Sequence, residues 1–263
     1  MTPILILGAG RMGGALIQGW RRAGAFAPSD LILRDPYPTE LAQAAARDGA
    51  RLNPADAALV EARTVLLAVK PQLWRETAAE VASLLHPEAV IVSVAAGVQS
   101  ADIAAGFGRK VARVMPTTAV AIGQGTTSIY AAEPEARARA QALFSPVGTV
   151  VDLEDEALMH AATAVSGSAP AYLYAFIEAL EDGGVAAGLP VEGARRLARS
   201  TIAGAAALLA QSGEEPAELR RQVTSPGGTT QAALEVLMGE GGLSPLLRDA
   251  VAAAVRRSKE LGA

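Results

Sequence analysis

The chain has 263 residues, no cysteine, two histidines and a formal net charge of −4, and 51% of it is hydrophobic. That length carries a large core and points to two domains rather than one, while the lack of cysteine excludes disulfides and thiolate chemistry and fits a reducing cytoplasm. His86 and His160 lack ligand spacing, acidic and basic residues are scattered without a basic stripe, and no apolar run reaches the ~18 residues of a membrane span, so neither metal, nucleic acid nor membrane is an expected partner.

The start, MTPILILGAG, has no basic n-region ahead of its short apolar run, which argues against a signal peptide. ILIL at 4–7, LIL at 31–33, TVLLAV at 64–69, VIVSV at 90–94 and VARVM at 111–115 are too short for helices and too continuous for one-sided strands. They read as strands buried on both faces, the mark of a parallel sheet. Helices are expected over 12–23, 39–48 and 73–85, which implies right-handed βαβ crossovers. TTSIY at 126–130 and VGTVV at 147–151 flank a further charged helix.

GAGRMG at 8–13 follows the first strand and opens the first helix. In that context Gly8 suits a tight turn, Gly10 the approach of a pyrophosphate to the backbone, and Gly13 close helix–strand packing; the alternative is a glycine turn without a ligand. At the end of the second strand Asp35 suits a ribose 2′-hydroxyl and Arg34 a 2′-phosphate. Arg34, with Arg11 in the loop, favours NADP, although both could equally be solvated surface charges. Ala68, Val69, Lys70 and Pro71 end the third strand, and Ala95, Ala96 and Gly97 end the fourth on the same side. These are either ordinary strand termini or the walls of a dinucleotide crevice.

After Asp152 the pattern turns helical: one helix over 169–187 opens with Ser168 and Pro170, a second runs from Pro190 to about Gln211, a third follows TSPGG, and a fourth starts at Ser244 and Pro245. TSPGGTTQ at 224–231 reads in two ways. Ser225 can cap the third helix with Pro226 in its first position, or Gly227 and Gly228 can leave first-turn N–H groups bare for an anion. Ala-rich stretches such as TIAGAAALLA suit an intermolecular interface or an intramolecular bundle equally. The fold expected is α/β, with a mostly parallel sheet over residues 1–152 and an all-helical domain over 153–263.

GAGRMG, LAVKPQ, VSVAAGV, RVMP, AVSGSAPAY and VTSPGGTTQAAL, in that order over nearly the whole chain, resemble the pyrroline-5-carboxylate reductase family. VTSPGGTTQAAL, preceded by ELRRQ, is the most specific of them. The resemblance implies an N-terminal Rossmann domain and a helical substrate-binding and dimerisation domain, in homodimers that can build rings such as a decamer. It implies reduction of the cyclic imine 1-pyrroline-5-carboxylate to L-proline, the last step of proline biosynthesis, by NADPH or alternatively NADH. Gly8, Ala9, Gly10, Arg11, Met12 and Gly13 would hold the pyrophosphate, and Arg34, Ala68, Val69, Lys70, Pro71, Ala95 and Ala96 would line the cofactor. Ser225, Gly227, Gly228, Thr229 and Thr230 would receive the substrate, with Thr230 the key contact to the imine nitrogen.

The chain departs from that family's pattern at Thr117, Thr118 and Ala119, where MPNTP is usual, at Ala169, at Arg11, and at Ala55 or Asp56 where an asparagine is usual. These departures bear on substrate and cofactor preference. A 3-hydroxyacid or 6-phosphogluconate type dehydrogenase would need a lysine on the helix after SGSAP, and Lys70, Lys110 and Lys259 all lie elsewhere. A reductase of another cyclic imine and a non-catalytic NADP-binding sensor are the remaining alternatives.

Overall fold

Runs of leucine and β-branched residues form the strands of the N-terminal half, and the computed structural model describes them within residues 1–262. The order is β1 (Ile4–Leu7), α1 (Arg11–Ala23), β2 (Leu31–Arg34), α2 (Glu40–Arg47), β3 (Arg51–Leu52), β4 (Thr64–Leu67), α3 (Trp74–Val81), β5 (Val90–Ser93), α4 (Ser100–Phe107), β6 (Val111–Pro116), β7 (Gly125–Ala131), α5 (Pro134–Phe144), β8 (Gly148–Asp152) and α6 (Leu158–Ala162). They form one eight-stranded sheet in the order β3-β2-β1-β4-β5-β6-β7-β8. Only the β6–β7 pair is antiparallel, so the mostly parallel sheet expected from the continuous apolar runs is present.

Alternate residues of each strand feed opposite faces. Ile4, Ile6, Leu33, Leu66 and Val92 pack with Trp20 and Phe144 on one side. Leu5, Leu7, Ile32, Val65 and Ile91 pack with Trp74 and Phe107 on the other. Every residue of β1, β4 and β5 is buried, and burying each large apolar side chain contributes about 1.5–3 kcal/mol. The indole N–H of Trp20 donates to the Leu143 carbonyl at 2.7 Å, so the core tryptophan leaves no orphaned donor.

The structure is more broken than the sequence reading. β3, α4 and α6 are additional, and the helix expected over 73–85 is α3 flanked by 3-10 turns. β4 stops at Leu67, so Ala68 and Val69 belong to a loop. Two residues of β3 and five of α6 are too short to show a period, which is why neither was legible.

Contacts divide the chain into two compact units, residues 1–167 with 254 onward, and residues 168–253. The sequence reading drew its line at 152; the contacts draw it after Gly167, because α6 is tied to the sheet. Glu156 accepts from the Ser100 N–H at 2.7 Å, the Ser100 hydroxyl at 2.6 Å and the Arg113 guanidinium at 2.9 Å. Met159 is fully buried. His160 Nδ1 lies 2.9 Å from the Ser258 hydroxyl, which ties the end of the chain to the same unit.

The second unit contains α7 (Ala169–Ala186), α8 (Val191–Ser212), α9 (Pro216–Gln222), α10 (Thr229–Leu237) and the start of α11 (Leu243–Gly262). α7 and α8 pack as a hairpin, turned at Gly188 with φ +101. A Cβ on Gly184 would stand 3.2 Å from that of Ala194, so the two helices approach closely. Glu181 pairs with Arg199 at 2.7 Å across them. α9, between the second and third expected helices, was not foreseen. Among the described residues of these helices only Ala194 and Ala198 are buried apolar residues, and none of the 18 residues of α7 is buried.

The Glu156 network has a pH consequence. Burial pushes its carboxyl up, but the Ser100 hydroxyl and N–H and the Arg113 charge outweigh this and hold it below the ordinary glutamate range. His160 is also lowered, by burial first and then by Arg113 and Lys259. For both, the unfolded chain binds protons more readily than the native one, so stability falls with pH. His160 contributes as pH drops below about 6.5, and Glu156 at lower pH as its carboxylate protonates. Arg113 is 3% exposed, so Glu156→Gln leaves a buried charge uncompensated. It should cost about 2–3 kcal/mol in urea unfolding at neutral pH, reduced from the buried-pair range because Glu156 is partly solvated. In Glu156→Gln the acid-side decline in stability should also be shallower; unchanged stability across the titration would contradict this.

Candidate functional site

The register of the parallel strands sets one edge of the sheet. Leu7 pairs with Arg34 of β2 and with Leu67 of β4, and Leu67 pairs with Ser93 of β5. The residues that follow these four ends, 8–13, 35, 68–71 and 94–97, therefore emerge side by side. The strand order reverses at β1, between β2 and β4. In open α/β sheets such a reversal opens a crevice at the carboxyl ends of the strands.

The glycines fit a dinucleotide there, each for its own reason. Gly8 has φ +92, and a Cβ on it would meet the Ala68 carbonyl oxygen at 2.9 Å and Val69 Cγ1 at 3.1 Å. A Cβ on Gly13 would stand 2.3 Å from the Gly8 carbonyl oxygen, whereas one on Gly10 would meet nothing within 4 Å. Gly8 and Gly13 are thus fixed by the protein's own packing, and Gly10 faces open space that a ligand can use. α1 begins without a side-chain cap and without an acidic residue in its first turn. Its first N–H groups and positive dipole end are available to a phosphate.

Ala9 is fully buried, and its N–H donates to Asp35 Oδ2 at 2.7 Å. Asp35 Oδ1 accepts from the Tyr37 N–H at 2.8 Å. The Asp35 N–H donates to Asn53 Oδ1 at 3.0 Å, and Asn53 Nδ2 donates back to the Asp35 carbonyl at 2.8 Å. Asn53 holds φ +46, a conformation asparagine tolerates better than most residues. This ring ties the glycine loop to β2 and β3, and the sequence reading missed it; the asparagine just after β3 was the available signal. Arg34 is paired with Asp56 at 3.0 Å and is about one-third exposed, so an incoming anion would compete with Asp56. Arg11 and Lys70 are exposed, while Met12, Val69, Pro71 and Ala96 are half-buried.

The Ala95 side chain is buried, and its N–H donates to the Ser93 hydroxyl at 3.2 Å. Thr117 is engaged internally: its hydroxyl accepts from the Thr126 N–H and its own N–H donates to the Thr126 carbonyl, both at 3.0 Å. A cavity of about 790 Å³ at the other end of α1 is lined by Trp20, Phe26, Leu41 and Ala45. No cluster of His, Cys, Asp or Glu among the described residues could hold a metal.

In the second unit the start of α10 differs from the reading of TSPGGTTQ that caps the helix with Ser225. The N-cap is Gly228, and the helix begins at Thr229, so Ser225 and Pro226 precede it. Gly227, at φ +70, donates its N–H to Gln231 Oε1 at 2.8 Å, and Gly228 donates its own to the Ser225 carbonyl at 3.0 Å. The amides of the two glycines are therefore engaged. Those left over are the N–H groups of Thr229, Thr230 and Gln231, in the first helical turn. The Ser225 hydroxyl lies against Gly228, where a Cβ would be 2.5 Å away. Thr230 is half-buried.

Comparison with known proteins agrees with this layout. The family described as pyrroline-5-carboxylate reductase dimerisation matches residues 156–261. The family described as NADP oxidoreductase coenzyme F420-dependent matches residues 3–97. A pyrroline-5-carboxylate reductase of Pseudomonas aeruginosa is 41% identical over 99% of this chain and 97% of its own. The structure of a pyrroline-5-carboxylate reductase from Coxiella burnetii superposes with a TM-score of 0.91 at 29% identity, covering 100% of this chain and 99% of its own. That of the Plasmodium falciparum pyrroline carboxylate reductase with NADP bound gives 0.84 at 25% identity, over 100% and 98%.

The glycine geometry predicts a contrast between two substitutions. Gly10→Ala should leave the melting temperature nearly unchanged and weaken NADPH binding at least tenfold in a fluorescence titration, because its methyl group enters only the ligand's space. Gly13→Ala should weaken binding and also lower stability by about 1–3 kcal/mol, because the Gly8 turn must move. Equal effects on stability would contradict the assignment.

Proposed function

The chain belongs to the pyrroline-5-carboxylate reductase family, and from that premise we propose that it reduces 1-pyrroline-5-carboxylate to L-proline with NADPH, closing proline biosynthesis. The cofactor, when bound, supplies the hydride. Gly8, Gly10 and Gly13 provide the turn, the open approach and the packing for its pyrophosphate, helped by the start of α1 and by Arg11. Ala9 serves through its backbone, held by Asp35. Arg34 addresses the adenosine end, Ala68, Val69, Lys70 and Pro71 wall one side, and the small Ala95 and Ala96 leave room for the flat nicotinamide.

The observation that carries the substrate reading is the start of α10. An anion at a helix N-terminus gains only about 0.3–2 kcal/mol from the dipole, so directed hydrogen bonds must supply the rest. The N–H groups of Thr229, Thr230 and Gln231 suit the substrate carboxylate, with the Ser225 hydroxyl beside them and the turn at Gly227 and Gly228 shaping the approach. The Thr230 hydroxyl would hold the imine nitrogen. An imine takes its proton readily from water, so the side chains are asked to orient rather than to act as strong acids. Orientation can lower a barrier by about 7–11 kcal/mol.

The second unit supports self-association. Tyr174, Leu197, Leu208, Val236 and Met238 are more than half exposed, and exposed large apolar side chains gathered on one unit suit an association surface. We assign these faces to a homodimer built through the C-terminal helices, with rings such as a decamer as the further assembly. The described residues contain no helix long and apolar enough to cross a membrane.

Purified protein should oxidise NADPH only when 1-pyrroline-5-carboxylate is present, with proline as product. NADPH binding without substrate-dependent oxidation would sink the reading. Thr230→Ala should lower kcat/KM about tenfold to a hundredfold, the range for losing one hydrogen bond to a charged group. Wild-type turnover and affinity in that variant would remove Thr230 from its role.

A further inference from the structure

We propose that Gln231 is a positioning residue, which sets the substrate-binding turn by holding the Gly227 amide; this rests on the reading that the start of α10 receives the substrate carboxylate. The turn from Ser225 to Gly228 has two fastenings. One is its own closing bond, from the Gly228 N–H to the Ser225 carbonyl. The other is external: Gln231 Oε1 accepts the Gly227 N–H at 2.8 Å, and Gln231 Nε2 donates to Glu235 Oε1 at 3.1 Å. Glu235 and Gln231 stand one helical turn apart and Gln231 reaches back over the next, so the three residues form a strut along one face of α10.

The strut matters because of what it restrains. Gly227 sits at φ +70 with nothing within 4 Å of a Cβ built on it, so no packing holds it in place. Glycine visits positive and negative φ about equally when unrestrained. α10 has nine residues, none of them buried, so the helix is not locked by a core either. The amide oxygen of Gln231 is the one side-chain acceptor seen on this turn among the described residues. It also removes the Gly227 N–H from competition, so that an incoming carboxylate meets the N–H groups of Thr229, Thr230 and Gln231 in a fixed arrangement. No hydrogen bond is seen to the hydroxyls of Thr229 and Thr230 among the described residues, and both are therefore free for a ligand.

A strut that only orders the binding turn acts equally on ground state and transition state. Its loss should therefore raise the KM for the substrate and leave kcat nearly unchanged. Gln231→Met keeps the length and removes the acceptor. It should raise the KM for 1-pyrroline-5-carboxylate roughly five- to tenfold, the loss expected for one hydrogen bond, with the KM for NADPH and the melting temperature unchanged. Hydrogen exchange at the Gly227 amide should be several-fold faster. Gln231→Glu keeps the acceptor for the Gly227 N–H but loses the donor to Glu235, so it should restore Gly227 protection in part while its charge still raises the substrate KM.

An unchanged substrate KM in Gln231→Met overturns the proposal. So does a loss spread equally over both KM values and the melting temperature, which would make Gln231 an ordinary helix cap. Turnover by the unsubstituted protein tests the functional reading separately. If that turnover is absent, Gly227 exchange still decides: equal rates in wild type and Gln231→Met refute the strut whatever the substrate.

Discussion

The approach of Gly13 to the Gly8 carbonyl fixes how α1 leaves β1, and the proposed cofactor edge follows from it. A side chain at either position has no room, because Gly8 also rests on the Ala68 carbonyl of the neighbouring strand's end. The helix start, the turn and the end of β4 are therefore one packed piece. Asp35 completes it through the Ala9 amide, so the loop is held from β2 as well as from β4. Of the three glycines, Gly10 is the one that faces open space. A site of this kind is already shaped before a ligand arrives, which reduces the ordering cost of binding.

The proposed substrate site is built on the opposite plan. The TSPGGTTQ turn has no core beneath it and is held by directed bonds from within α10. Backbone donors placed by a helix start are well suited to a small carboxylate, whose recognition needs geometry more than area. The apolar faces of the same unit need a partner surface. Helices with so few buried residues gain stability from association.

Legibility in the sequence followed burial. The doubly buried strands announced themselves as continuous apolar runs, and at GAGRMG the crowding at Gly8 and Gly13 matches the turn and the packing read for them. What stayed hidden depends on side chains meeting across sequence. The ring of Asp35 and Asn53 spans 18 positions. The link from Glu156 to Ser100 spans 56 and moves the boundary to Gly167. No local pattern encodes either. At TSPGGTTQ the composition reads as polar and permissive, but it does not show that the two glycine amides are themselves engaged. Gln231, four residues beyond Gly227, was not read as the acceptor of its amide. The TTA departure proved partly structural, since the Thr117 hydroxyl closes its own loop against Thr126.

The central claim is that hydride passes from the nicotinamide to the imine carbon of a substrate held by its carboxylate. Turnover with NADPH carrying deuterium at the transferable position of the nicotinamide ring tests it most directly, with mass spectrometry and NMR of the product. The account predicts proline with one deuterium, bonded to the former imine carbon. Proline without deuterium, or deuterium delivered to another compound while 1-pyrroline-5-carboxylate is untouched, would contradict it.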